Sequence, residues 1–504
     1  MTEVWSDGTS GVSAVPHDLD LGAYDPALKG TTIRGRRLVQ DTRDLQAGDI
    51  FVALGRPGAP ALPFVTDAFA RGAVAVLVDA DAVAGQQMPE NVYGLAGLAS
   101  VLGAMSDDFT GHPSKALSIV GITGTNGKTS TSFFLTAAWQ ALGVPSATIG
   151  TLGAGVTGEA RINMGMTTPQ VTTLHQYLAD FVARGVERVA MEVSSHALHQ
   201  ERVAGVSFDT VVFTNLTRDH LDYHGTMEEY AYQKGRVFDL PGVTTAVVNL
   251  DDAFGFEHFA ALPSTMRRIG VSSRGHAEAI VRGESVRLTT QGVEFELVIE
   301  GSRHSVSSSL IGRFNVDNLL ACAGVLWSQG VPVSRIAELL APVQPVFGRM
   351  TRIHPSPALP LVVVDAGHTP DAVRQAVTAL RESGHERIVT VFGATGDRDP
   401  GKRPEMARIV EEGSDLIVVT DDDVHFEDGD KILADIRAGF ADPSSVVEIR
   451  DRAAAIAFAI DAAGPDDVVL LQGKGHEPYQ IIGDERVPFS DIETAERLLR
   501  ERLQ

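Results

Sequence analysis

The chain has 504 residues, which at about 150 residues per domain predicts three domains. Apolar residues make up 44% and charged residues 21%, with 65 Asp and Glu against 42 Lys and Arg for a formal charge of -23. A surplus of that sign excludes a nucleic-acid backbone or an anionic membrane surface as the main partner. The lone cysteine, Cys322, leaves no intrachain disulfide or CxxC metal site and fits a reducing, cytoplasmic setting. The stretch from Met1 to Gly11 lacks the basic and apolar regions of a signal peptide. No run nears the roughly 18 apolar residues of a spanning helix, so no membrane insertion is expected.

Residues 50–54 and 73–78 read as strands around a helix over 63–71, and 95–109 reads as a helix ending at Gly111-His112-Pro113. That punctuation bounds a small N-terminal α/β domain, residues 1–112. A second unit, residues 113–342, opens with a strand over 117–122 and a helix from Lys128. A helix near 173–183 and strands over 188–193, 210–214 and 245–250 follow. This alternation predicts a mainly parallel sheet covered on both faces. Between 267 and 310 it gives way to consecutive strands, with a hairpin near Gln291-Gly292, and a helix over 315–329 closes the unit. A Pro-rich stretch from Pro342 to Pro345 marks the next boundary. Residues 343–504 return to alternation: strands over 361–365, 387–392, 416–420 and 467–472, helices over 371–381, 404–412 and 491–502. This is a second, Rossmann-like doubly wound unit. The acidic stretch 421–430 reads as a solvated loop.

The strongest signal is Gly121-Ile122-Thr123-Gly124-Thr125-Asn126-Gly127-Lys128-Thr129-Ser130, set between a strand and a helix as a phosphate-binding loop requires. Glycines let backbone N–H groups face phosphate oxygens, and the helix N-terminus adds partial positive charge. Lys128 can reach the outer phosphates and the Thr129 hydroxyl can ligate Mg²⁺. Ile122 stands where the standard spacing has glycine, so the turn is a variant. The loop predicts ATP or GTP with Mg²⁺ and leaves kinase, ATPase and ligase open.

Other segments gather at strand ends of the same unit, where open α/β sheets bind ligands. Glu192 can complete a Mg²⁺ shell. His220 follows Thr214-Asn215-Leu216-Thr217-Arg218-Asp219, and His224 lies four residues on with no third zinc ligand in sight. Lys234, on a helical stretch, reads by itself as a solvated lysine. Arg202, Arg313, Arg349 and Arg398 border turns and are candidates for anion recognition.

Together these motifs resemble the Mur ligase family, and closely its MurE type, the UDP-N-acetylmuramoyl-tripeptide synthetases. The likeness spans nearly the whole chain. It runs from Asp41-Thr42-Arg43 through Thr167-Thr168-Pro169, Gly312-Arg313-Phe314-Asn315 and His368-Thr369-Pro370-Asp371. It continues into Gly396-Asp397-Arg398-Asp399, Gly401-Lys402-Arg403-Pro404 and Gly473-Lys474-Gly475-His476-Glu477. It implies three domains, holding a UDP sugar, ATP and an amino acid in turn. The implied reaction extends a UDP-muramoyl dipeptide: ATP phosphorylates the D-Glu carboxylate to an acyl phosphate, and the amine of a diamino acid displaces phosphate. Lys128, Glu192, His220 and Lys234 are the implied catalytic set. Thr129, Glu192, His220 and Lys234 would surround Mg²⁺, Lys234 as a carbamate formed with CO₂. Gly124 to Ser130, Asn315, Arg349, Asp365 and His368 would meet ATP. Thr42, Thr167, Thr168, Ser194, Gln200 and Arg202 would hold the UDP-muramoyl dipeptide. Arg398, Asp422, Asp423, His425, Gly473 and Glu477 would form the amino-acid pocket. A cytoplasmic monomer is expected.

Departures from the pattern sharpen the acceptor question. Enzymes that add meso-diaminopimelate usually read Asp-Asn-Pro-Arg where this chain has Asp422-Asp423-Val424-His425. Asp421, Asp422 and Asp423 would attract an ammonium and repel a carboxylate, so L-lysine or a similar cationic acid is the expected acceptor, with a meso-diaminopimelate-adding or otherwise divergent Mur-like ligase the alternative. The family's Tyr-Ala-His becomes Ala366-Gly367-His368, and an Asp-Gly-His turn in the first domain becomes Gly58-Ala59-Pro60-Ala61-Leu62-Pro63-Phe64. A nucleotide-responsive binding protein is the reading from outside the enzymes; the intact Lys128, Thr129, Glu192, His220 and Lys234 set argues against it.

Overall fold

The structure is a computed structural model that describes residues 5–6, 15–54, 62–85 and 87–503. The altered turn at Gly58 to Ala61, and most of the Met1 to Gly11 stretch, lie outside the described residues.

Near the N-terminus, strands Leu38–Val39, Ile50–Ala53, Ala75–Asp79 and Val92–Leu95 form a parallel sheet in that order. Helix Leu98–Phe109 buries Leu98, Leu102, Met105 and Phe109 against Ile50, Val52, Ala75 and Leu77. Those spacings form one helical stripe. The helix predicted from residue 95 therefore starts three residues late. Gly97 sits in the left-handed region at φ 61 and breaks it from the strand ending at Leu95.

Among the described residues the central sheet has twelve strands. Its parallel core runs Ser146–Gly150, Arg188–Glu192, Ser118–Thr123, Thr210–Phe213, Thr245–Asn249 and Arg267–Ser272 in spatial order. The four strands Arg188–Glu192, Ser118–Thr123, Thr210–Phe213 and Thr245–Asn249 are mostly apolar and almost wholly buried, as helix-covered parallel strands must be. The predicted hairpin is present: Val281–Thr289, Gly292–Ile299 and Ser302–Ser308 make an antiparallel meander extending one edge. Helix Arg313–Ser328 lies on the sheet through Val316, Leu319, Leu320 and Ala323. Helix Val333–Leu340 follows before the Pro-rich stretch and was not anticipated.

The third sheet has six strands, ordered Thr351–Ile353, Leu361–Asp365, Val468–Gln472, Ile388–Phe392, Leu416–Val419 and Val447–Glu448. All pair in parallel except the first. Helices Gly429–Arg437 and Arg452–Asp461 add cover that the alternation had not revealed. The described chain is thus α/β throughout its large sheets, with a phosphate-loop layer at the centre. No helix among the described residues is long and apolar enough to cross a membrane.

Candidate active site

Strand Ser118–Thr123 leads into Gly124 and then helix Lys128–Ala141. Ile122 belongs to the strand and is wholly buried, so the tight turn begins only at Gly124. Gly124 has φ +146 and Gly127 φ +87, values that side-chain-bearing residues avoid. A Cβ at Gly124 would also collide with Thr214 Oγ1 and one at Gly127 with Asn318 Oδ1. Gly124→Ala is therefore expected to lower nucleotide affinity at least about tenfold, measurable by titration with a fluorescent ADP; unchanged affinity would show that the turn does not depend on this glycine.

Two lysine amino groups converge on one carbonyl of this loop. Lys128 Nζ donates to Gly124 O at 2.8 Å and Thr125 O at 2.9 Å, and Lys234 Nζ donates to Gly124 O at 2.7 Å. Lys234 is fully buried, not solvated, and lies over the Tyr230 ring. Desolvation, and then the Lys128 charge, drive its pKa well below the ordinary lysine range. A neutral amine is the form that reacts with CO₂, so the environment of Lys234 suits the carbamate implied above.

Glu192 ends its strand fully buried. It accepts the Thr129 hydroxyl at 3.0 Å, Thr151 N at 3.0 Å and the Thr151 hydroxyl at 3.1 Å. Burial raises its pKa, and Lys128 pulls it back. His220 adopts φ 53, with Nε2 3.3 Å from Asp219 Oδ2 and its ring 4.8 Å from His196. Desolvation lowers its pKa. The Thr129 hydroxyl and Glu192 carboxylate are hard oxygen donors beside the phosphate loop, a set that suits Mg²⁺ completed by phosphate oxygens and water.

Asp219 was not singled out from sequence, yet its charge bears on Lys128, Lys234, Lys402, His220 and His368. Lys402, at the start of helix Lys402–Gly413, reaches this field from the third sheet, and desolvation depresses its pKa. Only the quoted motif containing Lys402 could have flagged it.

Five of the six UDP-sugar candidates form a chain beside Glu192. Thr167 pairs with the Thr151 hydroxyl at 3.1 Å, and Thr168 Oγ1 donates to Glu192 O at 2.8 Å. Ser194 N donates to Thr168 Oγ1 at 3.2 Å. Arg202 donates to Thr168 O at 2.9 Å and to Gln200 Oε1 at 2.6 Å. Thr42 sits apart, in the turn Thr42–Asp44 of the first unit.

Among the ATP candidates, Ser130 lies in the first turn of the loop's helix. Asn315 is buried, donating to Ile311 O and accepting from Asn318. Asp365 is a hub: it accepts Met350 N at 3.0 Å, Gly367 N at 2.8 Å and Gln472 Nε2 at 3.2 Å. His368 pairs with Ala366 O at 3.1 Å, and Arg349 adds positive charge near it. A cavity of about 510 Å³ opens beside the loop, lined by Asn249, Asp251, Arg274, Arg313, Asp317 and Arg374 among others. Burial pushes Asp317 up to about 6, and its Oδ1 has no partner.

The acidic stretch is not a solvated loop. Asp422 and Asp423 are buried, and the ammonium of Lys474 lies among them. Its Nζ is 2.7 Å from Asp423, 3.0 Å from Glu477 and 3.5 Å from Asp422. Asp421 pairs with Arg450 at 2.7 Å, and Glu427 with the buried Arg403 at 2.6 Å, which holds the Glu427 carboxyl down at about 2. The chain's own cations therefore answer much of the charge expected to select a lone ammonium. Gly473 donates to Asp365 O at 2.9 Å, and His425 N to Ile481 O at 3.1 Å. Arg398 is exposed and has no hydrogen bond or ion pair among the described residues.

Comparison with known proteins identifies two domain signatures. Residues 122–326 match the Mur ligase middle domain, and residues 348–475 the Mur ligase, glutamate ligase domain. The UDP-N-acetylmuramoyl-L-alanyl-D-glutamate–2,6-diaminopimelate ligase of Xylella fastidiosa is 51% identical over 94% of this chain and 95% of its own. The protein of the same name from Xanthomonas oryzae is 48% identical over 97% and 96%. A solved structure of a ligase so named superposes with TM-score 0.67 at 30% identity, covering 93% of this chain and 95% of that one. With the phosphate loop, the buried lysine and carboxylate beside it and both domain signatures in place, the chain belongs to the Mur ligase family of ATP-dependent ligases, in its MurE branch.

Proposed function

We propose that the chain joins meso-diaminopimelate to the D-Glu carboxylate of UDP-N-acetylmuramoyl-L-alanyl-D-glutamate, as a cytoplasmic monomer. The observation that carries this acceptor is the Lys474 ammonium inside the acidic pocket. It offsets one of the three carboxylates there and so weakens the case for a substrate ending in a bare ammonium. The exposed, unpaired Arg398 is a guanidinium left for a distal carboxylate. The names of the bacterial relatives support the same choice over L-lysine.

Residues 1–112 serve the UDP group through Thr42, and residues 113–342 serve ATP and the muramoyl dipeptide. Residues 343–504 serve the amino acid through Arg398, Asp422, Asp423, His425, Gly473 and Glu477. The nucleoside lies in the cavity beside the loop, where Asp317 offers an acceptor to its donors. Lys128 leaves Gly124 O and Thr125 O for the phosphates. Thr129, Glu192, His220 and carbamylated Lys234 would hold Mg²⁺, which supplies charge neutralisation on the phosphate oxygens. The D-Glu carboxylate oxygen takes the γ-phosphoryl group as the bond to ADP breaks. The acceptor amine then bonds to the acyl carbon, phosphate leaves, and the amine loses a proton.

An acceptor screen that follows ADP release and the mass of the UDP product tests this. Expected is a kcat/KM for meso-diaminopimelate about 10⁴-fold above that for L-lysine, as for a site whose polar groups are left unpaired by the wrong substrate. A preference for L-lysine overturns the assignment. No ADP release with any acceptor overturns the ligase reading itself.

A further inference from the structure

The phosphate loop is tied to the third sheet by one carboxylate. Asp371 is on helix Pro370–Glu382, next to His368 and outside every site assigned above. Its Oδ2 accepts Asn126 Nδ2 at 2.8 Å, Thr217 Oγ1 at 3.1 Å and Gln375 Nε2 at 2.8 Å. Gln375 belongs to the same helix. The other two donors are 245 and 154 residues away. One is inside the phosphate loop; the other is on the segment that carries Asp219 and His220.

Asn126 has no slack. Its N–H donates to Asn215 Oδ1 at 2.9 Å, and its carbonyl accepts Thr214 Oγ1 at 2.6 Å and Asn215 Nδ2 at 3.2 Å. Asp371 takes up the side-chain amide, the one group of this residue that the central sheet leaves over. An ionised carboxylate accepts several donors at once and holds them more strongly than a neutral oxygen. The pull runs the same way for Thr217. When the third sheet is docked, Asp371 therefore fixes the loop that holds the phosphates together with the segment that holds His220. When it moves away, both lose a partner.

We infer that Asp371 is a positioning residue that couples docking of the C-terminal domain to the shape of the phosphate loop. By linkage, a nucleotide that favours the shaped loop favours the docked domain equally. The inference rests on the ligase reading only for its kinetic consequence; the coupling stands on nucleotide binding alone.

The test uses Asp371→Ala, Asn126→Ala and the double variant of the full chain. The affinity of a fluorescent ADP and the amide exchange of the loop segment 124–128 are measured first. Each single variant should weaken the ADP about 5–10-fold, within the usual range of coupling between sites, and speed exchange across the loop. The double variant should be no worse than the weaker single. With the physiological substrates, kcat should fall while the KM for the UDP-muramoyl dipeptide stays put. Losses that add in the double variant, or that merely track a lower melting midpoint, overturn the inference, and so does unchanged ADP affinity. A wild-type protein that binds ADP but ligates nothing would overturn the ligase reading and leave the coupling standing on its binding data.

Discussion

Lys234→Met should cost about 10²–10³-fold in kcat, the usual loss when one charge-stabilising group leaves a reaction centre, and at the same time raise the melting midpoint at pH 7. The two effects have one cause. Folding strips water from the Lys234 ammonium and sets Lys128 beside it, so the folded pKa lies well below the ordinary lysine value of 10.5. Below that value the unfolded chain binds a proton that the folded chain does not, so stability rises with pH until the unfolded lysine also loses it. Methionine removes the penalty. The gain in melting midpoint should be present at pH 7 and shrink as pH approaches 10. Wild-type protein given ¹³C-bicarbonate should show a carbamate resonance that the variant lacks. A variant with full activity, or one whose melting midpoint falls at pH 7, contradicts this account.

Asp491→Ala attacks a different buried charge. Arg452 donates from Nε and Nη2 to Asp491 at 2.7 Å each, and both side chains are fully buried. Removing one partner of such a pair strands the other, at about 3–5 kcal/mol. The C-terminal unfolding transition should move by that amount in urea. Arg452 also donates to Gln472 O at 3.2 Å, next to Gly473 and Lys474, so the KM for the amino acid should rise as well. Arg452→Met with Asp491→Leu should recover most of the stability, because apolar pairs of similar volume replace buried ion pairs at little cost. A shift below 1 kcal/mol would mean that water already reaches the pair.

What the sequence revealed follows from the range of the interactions involved. The phosphate loop was legible because strand, glycines and lysine act within a dozen positions. The strand over 361–365 was legible because a doubly buried strand needs only apolar residues. The acidic stretch was misread because its meaning depends on Lys474, 51 positions from Asp423. A charge run looks solvated until its counter-ion is known. Arg452 follows the N-cap Asp451 and resembles any surface helix residue. Lys234 looked solvated for the same reason: the burial that lowers its pKa comes from Tyr230 and the distant loop at Gly124. Strand Val92–Leu95 was hidden by its brevity and by the glycines beside it.

The groups proposed for phosphate chemistry follow the ends of three neighbouring strands, Ser118–Thr123, Arg188–Glu192 and Thr210–Phe213. Those proposed for the acceptor follow the ends of Ile388–Phe392, Leu416–Val419 and Val468–Gln472 in the other sheet. Most of the groups proposed for phosphate chemistry thus lie on one piece of the chain and those proposed for the acceptor on another, with Arg349, Asp365 and His368 reaching back toward the nucleotide. Grafting the last 160 or so residues from a relative with another acceptor should transplant the acceptor preference, provided the graft brings its own counterparts of Arg349, Asp365 and His368 and an aspartate to meet Asn126.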